Sequence, residues 1–257
     1  MKIKQVLSAL ERFAPLPLQE SWDNAGLQLG LTEAEVSGAL LCLDVNEAII
    51  DEAISKGCNL IVSHHPLLFR GLKQISGADY VQRCVIKAIK HDIVIVSMHT
   101  NMDNAQGGVN WKIAERLGAT VLSDSVAETE KTPLVLAALP TPMEARAFVE
   151  LVKTQFGVQC AQCNELLQRP IRKVAICGGA GDFLLSDAIG QGADAFITGE
   201  MHYHQYFGYE QQIQICVIGH YQSEQFTSEI FRDVIQKECP GVRTEIAATN
   251  TNPIVYI

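Results

Sequence analysis

Three short stretches of the chain place metal-binding side chains directly behind apolar runs. Val62-Ser63-His64-His65-Pro66 sets two imidazoles at the end of a strand-like segment. Pro66 biases His65 toward an extended backbone, so the two rings diverge and can address different ions. Met98-His99-Thr100-Asn101-Met102-Asp103 closes the next apolar run, with Asp103 as the candidate ligand and His99 as either a ligand or a group that orients one. Gly219-His220-Tyr221-Gln222-Ser223-Glu224 puts His220 and Glu224 on one helical face, behind a glycine that permits close backbone approach. Taken singly, each stretch also fits a plainer role: a capping histidine pair, a turn aspartate, a helix-capping glutamate. Together they bring three imidazoles and two carboxylates to three strand ends. That N/O donor set suits zinc, iron, manganese or cobalt and lacks the thiolates of a structural zinc site.

Charge points the same way. Asp103 and Glu224 would neutralise only half the charge of two divalent ions, so a dinuclear site here calls for a bridging hydroxide or an anionic ligand. Metal-bound water can have its pKa lowered to about 7, and two neighbouring ions can share one hydroxide as a nucleophile. Glu200, His202 and His204 follow another strand end, and Glu200 and His204 share a face if a helix starts at Glu200. Glu200 and His204 are therefore the candidate catalytic proton carriers, with an idle exposed helix start as the alternative.

The elements that must hold these residues alternate along the chain. Strands are predicted at Val36–Val45, Cys58–Ser63, Ile93–Met98, Leu134–Leu139, Lys173–Cys177, Ala193–Thr198 and Ile213–Ile218. Helices are predicted at Asn46–Lys56, Asp79–Lys90, Val109–Leu117, Met143–Phe156, Phe183–Ile189, Met201–Glu210 and Glu224–Lys237. The pattern predicts an α/β fold of two similar halves with mostly parallel sheets, carrying the dinuclear metal site at strand C-terminal ends between them. The halves are placed at 1–125, with His64, His65 and Asp103, and 126–257, with His220 and Glu224, either separate or as one intertwined domain. Block 36–65 overlays block 171–200 without gaps: Cys42 meets Cys177, Ala53 meets Ala188, Ile54 meets Ile189 and Gly57 meets Gly192. Two unrelated strand–helix–strand units would also look alike, so the match is used for geometry.

Two further motifs carry less. Cys177-Gly178-Gly179-Ala180-Gly181-Asp182 has Leu184 where a dinucleotide loop needs its third glycine, and is read as a tight turn. Cys160-Ala161-Gln162-Cys163 has no second CxxC to complete a zinc ribbon.

Composition sets outer limits. The 257 residues are 47% hydrophobic and 19% charged, ordinary globular values. No apolar run approaches the ~20 residues of a membrane span. The charged N-terminal stretch reads as an amphipathic helix rather than a signal peptide, so a cytoplasmic location is expected. A net charge of −9 with scattered Lys and Arg argues against nucleic acid. The eight cysteines are expected to be reduced and mostly in the core.

In these motifs the chain resembles the Nif-three-like family, also called GTP cyclohydrolase 1 type 2 homologues. The resemblance spans essentially the whole chain. It rests on Ser21-Trp22-Asp23-Asn24-Ala25-Gly26-Leu27, Ser63-His64-His65-Pro66, His99-Thr100-Asn101-Met102-Asp103, Ile197-Thr198-Gly199-Glu200 with His204, and Gly219-His220-Tyr221-Gln222-Ser223-Glu224. It implies two metal ions held by His64, His65, Asp103, His220 and Glu224, with Glu224 bridging, in a ring-shaped homohexamer. Glu200 stands where the family often has Asp. The implied reaction is hydrolytic opening of the guanine imidazole ring of GTP by metal-bound hydroxide. The expected function is a metal-dependent hydrolase of a small anionic or nucleotide-like substrate; the alternative is a non-catalytic metal carrier or regulatory interaction protein.

Overall fold

The computed structural model describes residues 1–122, 131, 133–255 and 257. The chain opens with α1 (Ile3–Phe13), β1 (Gly26–Leu29), β2 (Ala39–Cys42), α2 (Glu47–Ser55) and β3 (Leu60–Ser63). It continues through α3 (Tyr80–Lys90), β4 (Val94–Ser97), α4 (Thr100–Asn104), α5 (Val109–Arg116), β5 (Thr120–Val121) and β6 (Val135–Met143). Next come α6 (Ala145–Phe156), β7 (Gln162–Cys163), β8 (Ile171–Cys177), α7 (Leu185–Gly190) and β9 (Ala195–Thr198). The last elements are β10 (Gln214–Val217), α8 (His220–Glu224), α9 (Thr227–Glu238) and β11 (Thr244–Ile246).

These elements form two compact units, Met1–Ala105 with Thr227–Ile257, and Gln106–Phe226. The division expected after residue 125 lies outside the described residues. In the first unit a five-stranded sheet runs β1-β4-β3-β2-β11, parallel except for β1. In the second, a six-stranded sheet runs β5-β6-β8-β9-β10-β7, with β8, β9 and β10 parallel and the rest antiparallel. The α/β architecture expected from the alternation is therefore present, with mostly parallel pairing as expected in the first sheet, whereas antiparallel pairs outnumber parallel ones in the second because the outer strands β5, β6 and β7 all run against their neighbours. Strands β2, β3, β4, β9 and β10 are buried at every position, which is why they read as unbroken apolar runs. Helix α1 seals one face of the first unit with Ile3, Val6, Ala9 and Leu10, all fully buried. Burying a Val, Leu or Ile side chain stabilises by roughly 1.5–3 kcal/mol.

Two predicted helices come out differently. Met201–Glu210 yields only a 3-10 turn at Tyr203–Tyr206, because the segment has no buried residue to anchor longer helix. Glu224 ends α8 instead of opening a helix, and the long helix starts three residues later at Thr227. The break lets the Gln225 amide donate to the Phe156 carbonyl (3.0 Å) while Phe226 packs on Phe156 and under the Arg116 guanidinium. Helix α9 and β11 belong to the first unit, where β11 extends the sheet parallel to β2. Among the described residues no helix is long and apolar enough to cross a membrane.

Candidate metal centre

In the first unit, β3 and β4 lie side by side with Ser63 opposite Ser97. Both hydroxyls converge on the His65 carbonyl, at 2.9 and 3.2 Å, and fix the turn that carries the two histidines. His64 is fully buried, and its Nδ1 faces the Met98 carbonyl at 2.8 Å. A carbonyl only accepts, so Nδ1 carries a proton and Nε2 is the ring atom turned toward the site. His65 is held the same way by a carboxylate: its Nδ1 lies 2.7 Å from Asp44 Oδ1, while Asp44 Oδ2 accepts from Thr251 (2.7 Å). Burial would raise the Asp44 pKa, but the hydrogen bonds from His65 and Thr251 outweigh it and hold the carboxyl below its ordinary value. This carboxylate–imidazole geometry is the one that orients metal-binding histidines and raises their basicity.

Asp103 sits on α4 with Oδ1 3.6 Å from His64 Nε2. That separation is too long for a hydrogen bond and close to the ~3.4 Å expected between two ligands of one tetrahedral ion at about 2.1 Å. His99 joins the group: one ligand atom each of His64, His65 and His99 lie within 4.8 Å of one another. Its Nδ1 is 2.7 Å from Asp23 Oδ1, and Asp23 Oδ2 accepts from the Thr100 backbone and hydroxyl. Burial pushes the Asp23 carboxyl up, yet the bonds from His99 and Thr100 bring it down to about 2. Trp22 and Phe69 border His99, with ring centroids 6.0 and 6.3 Å from it.

In the second unit, β10 leads into Gly219, whose φ of 95° only glycine adopts readily, and then into α8. One turn of helix brings His220 Nε2 to 3.1 Å from Glu224 Oε2, and Glu224 is 4% exposed. His220 Nδ1 lies 2.9 Å from Glu200 Oε1. Against this pair lies the glycine turn after β8. Gly178 N donates to Asn110 Oδ1 (2.8 Å) and Gly179 N to Ser223 Oγ (3.0 Å), while the Gly179 carbonyl accepts from the backbones of Gly199 and Glu200. A Cβ at Gly179 would run into the Glu224 carboxylate, so the glycines make room for an acid. The tight-turn reading of this motif agrees with the structure.

Thus His64, His65 and Asp103 come together in the first unit, and His220, Glu224 and Glu200 in the second. His204 lies against the rings of Tyr203 and Phe207. Glu200 precedes the 3-10 turn, so the common helical face expected for Glu200 and His204 does not form. His202 faces Asp182 at 2.7 Å, and that carboxylate raises its pKa. Sequence reasoning missed Asp44 and Asp23 as orienting groups; Asp44 had the signal used elsewhere, an acid just past an apolar strand.

These donors are competent to hold a metal ion: imidazoles fixed through Nδ1 beside carboxylates fit the chemistry of a divalent cation. The profile of the Duf34/NIF3 (NGG1p interacting factor 3) family matches residues 1–253. A protein of Clostridium perfringens named GTP cyclohydrolase 1 type 2 homolog is 36% identical over 228 residues, 87% of either chain. One of the same name from Campylobacter jejuni is 31% identical over the full length of both chains. The crystal structure of a hypothetical protein from Staphylococcus aureus superposes with a TM-score of 0.90 at 27% identity, covering 100% of this chain and 99% of that one. With the family profile spanning nearly every residue, the chain belongs to the NIF3 family.

Proposed function

We propose that the chain is a metal-dependent hydrolase that binds two divalent metal ions through His64, His65, Asp103, His220 and Glu224. The observation that carries this reading is shared by three imidazoles in two units: His64, His65 and His220 are each held at Nδ1 by an acceptor, which directs Nε2 to be the ligand atom. Such ions, when bound, supply Lewis acidity and make a coordinated water acidic near neutral pH. The chain's own residues do the rest. Asp44 and Glu200 hold the protons of His65 and His220 on Nδ1, and Glu200 and the exposed His204 are the proton carriers available to the substrate. Partial neutralisation by two carboxylates favours an anionic substrate, and the relatives' name makes GTP the first nucleotide to test.

One observation favours a carrier or regulatory protein instead: His204 packs on Tyr203 and Phe207, and no hydrogen bond links it to Glu200 among the described residues. The two readings separate in one experiment. Protein purified without chelator or affinity metal is assayed for metal content and for hydrolysis of GTP and simple phosphoesters. About two ions per chain with turnover supports the hydrolase. Full loading without turnover supports the carrier. In Glu224→Ala, unchanged metal content would overturn the ligand assignment, which both readings share.

A further inference from the structure

We propose that Cys163 and Cys216 form a redox modification site that a peroxide closes into a disulfide. The two residues face each other in register across the antiparallel ladder of β7 and β10. Directly opposed residues in such a ladder have Cα atoms about 4.5–5.5 Å apart. That lies within the ~4.4–6.8 Å a disulfide spans, so the backbone separation of the pair suits closure.

The pair is asymmetric in the way the chemistry needs. Cys163 is partly exposed on the short edge strand, while Cys216 is fully buried in β10. A hydrogen bond from the Cys216 thiol, opposed by burial and helped by the Lys153 ammonium, lowers the Cys163 pKa. The same bond, together with burial, pushes the Cys216 thiol well up. Cys163 is thus the reachable nucleophile and Cys216 the resolving thiol. The Cys163 thiolate attacks one peroxide oxygen, the O–O bond breaks, and hydroxide leaves to be protonated, giving a sulfenic acid and water. The Cys216 sulfur then displaces hydroxide from that sulfur. An S–S bond forms, and a second water leaves with the Cys216 proton. Two thiols are oxidised and one peroxide is reduced to two waters. Cys42, Cys58, Cys84, Cys177 and Cys239 are buried, and exposed Cys160 is the rival partner for Cys163.

The test uses the full-length reduced protein, treated with hydrogen peroxide in chelator and mapped by non-reducing peptide mass spectrometry. The expected result is a Cys163–Cys216 cross-link, with free thiols falling by two per chain and returning with dithiothreitol. It should persist in Cys160→Ser and vanish in Cys163→Ser. A Cys160–Cys163 cross-link, or Cys163 driven to sulfinic acid with Cys216 still alkylatable, would overturn the proposal. Mapping of the wild-type protein decides the matter even if a Cys216 variant fails to fold. The outcome is independent of metal content.

Discussion

The two units build one scaffold and put different chemistry on it. Strands β2 and β3 pair in parallel with Ala39 opposite Leu60, and β8 and β9 pair with Val174 opposite Ala195, both positions shifted by 135. The same shift carries α2 onto the stretch formed by the 3-10 turn Asp182–Leu184 and α7. It carries Asp44 onto Gly179, and His65 onto Glu200. In each unit a third parallel strand follows, and a five-residue helix after it, α4 or α8. The roles at matched strand ends are exchanged. In the first unit the β3 end supplies an imidazole, and the acid past β2 orients it. In the second the β9 end supplies the orienting acid, Glu200, and the imidazole comes from past β10, while glycine past β8 leaves space for Glu224. Fold sets where a side chain can reach; residue type decides whether it binds or positions.

Gly179 is the position on which the second donor set leans most heavily. Its φ is +62°, and any side chain there meets the Glu224 carboxylate. Gly179→Val combines backbone strain of about 1–3 kcal/mol with displacement of Glu224. It should lower metal content as far as Glu224→Ala does, read by elemental analysis. Gly190→Ala, with open space around its Cβ, should leave metal content at the wild-type level. Wild-type loading in Gly179→Val would mean that the glycine turn does not shape the second donor set.

How much of this was legible follows from the same contrast. Strands buried on both faces announce themselves as apolar runs, so β2, β3, β4, β9 and β10 and their polar ends are readable, as is the buried second half of β8. The short edge strands β1 and β7 carry little apolar signal and pass for loops. The allegiance of α9 and β11 was not readable either, because periodicity shows that a helix or strand exists but not which sheet it joins; the pairing of Thr244 with Ala39 decides that across some two hundred residues of chain. Among the site residues, imidazoles after strands stand out, and Asp44 too follows an apolar strand, but its pairing with His65 shows only once β2 and β3 are in register.

A smaller effect sharpens the exchange of roles. Asp44→Asn and Glu200→Gln each remove the negative charge behind a candidate ligand imidazole while keeping a hydrogen-bond acceptor. Removing such an orienting group typically weakens metal binding 10–100-fold, so both variants should bind more weakly and refill at saturating metal. Calorimetric titration with zinc checks this. A large loss for Asp44→Asn with none for Glu200→Gln would show that Glu200 does not play in the second unit the orienting part that Asp44 plays in the first.

His99 and the carboxylate behind it are a feature the second unit lacks. Where the first unit has His99, held by Asp23, the second has Gly219, since Met98 and Ile218 occupy equivalent places one residue past their strands and donate to Ser63 and Thr198. The Asp23 side chain is fully buried, and its pKa falls from 3.8 to about 2 on folding. A carboxyl whose pKa is depressed by folding contributes stability that is complete above its unfolded value and is lost as pH falls through the folded one. From the size of the depression the contribution is about 2 kcal/mol. In metal-free protein, Asp23→Asn should therefore lower the urea midpoint at neutral pH. The gap from wild type should close between pH 3.8 and about 2, where wild-type Asp23 takes up its proton. A gap that stays constant through that window would locate the stabilisation in the shape of the Asp23–His99–Thr100 network and not in its charge.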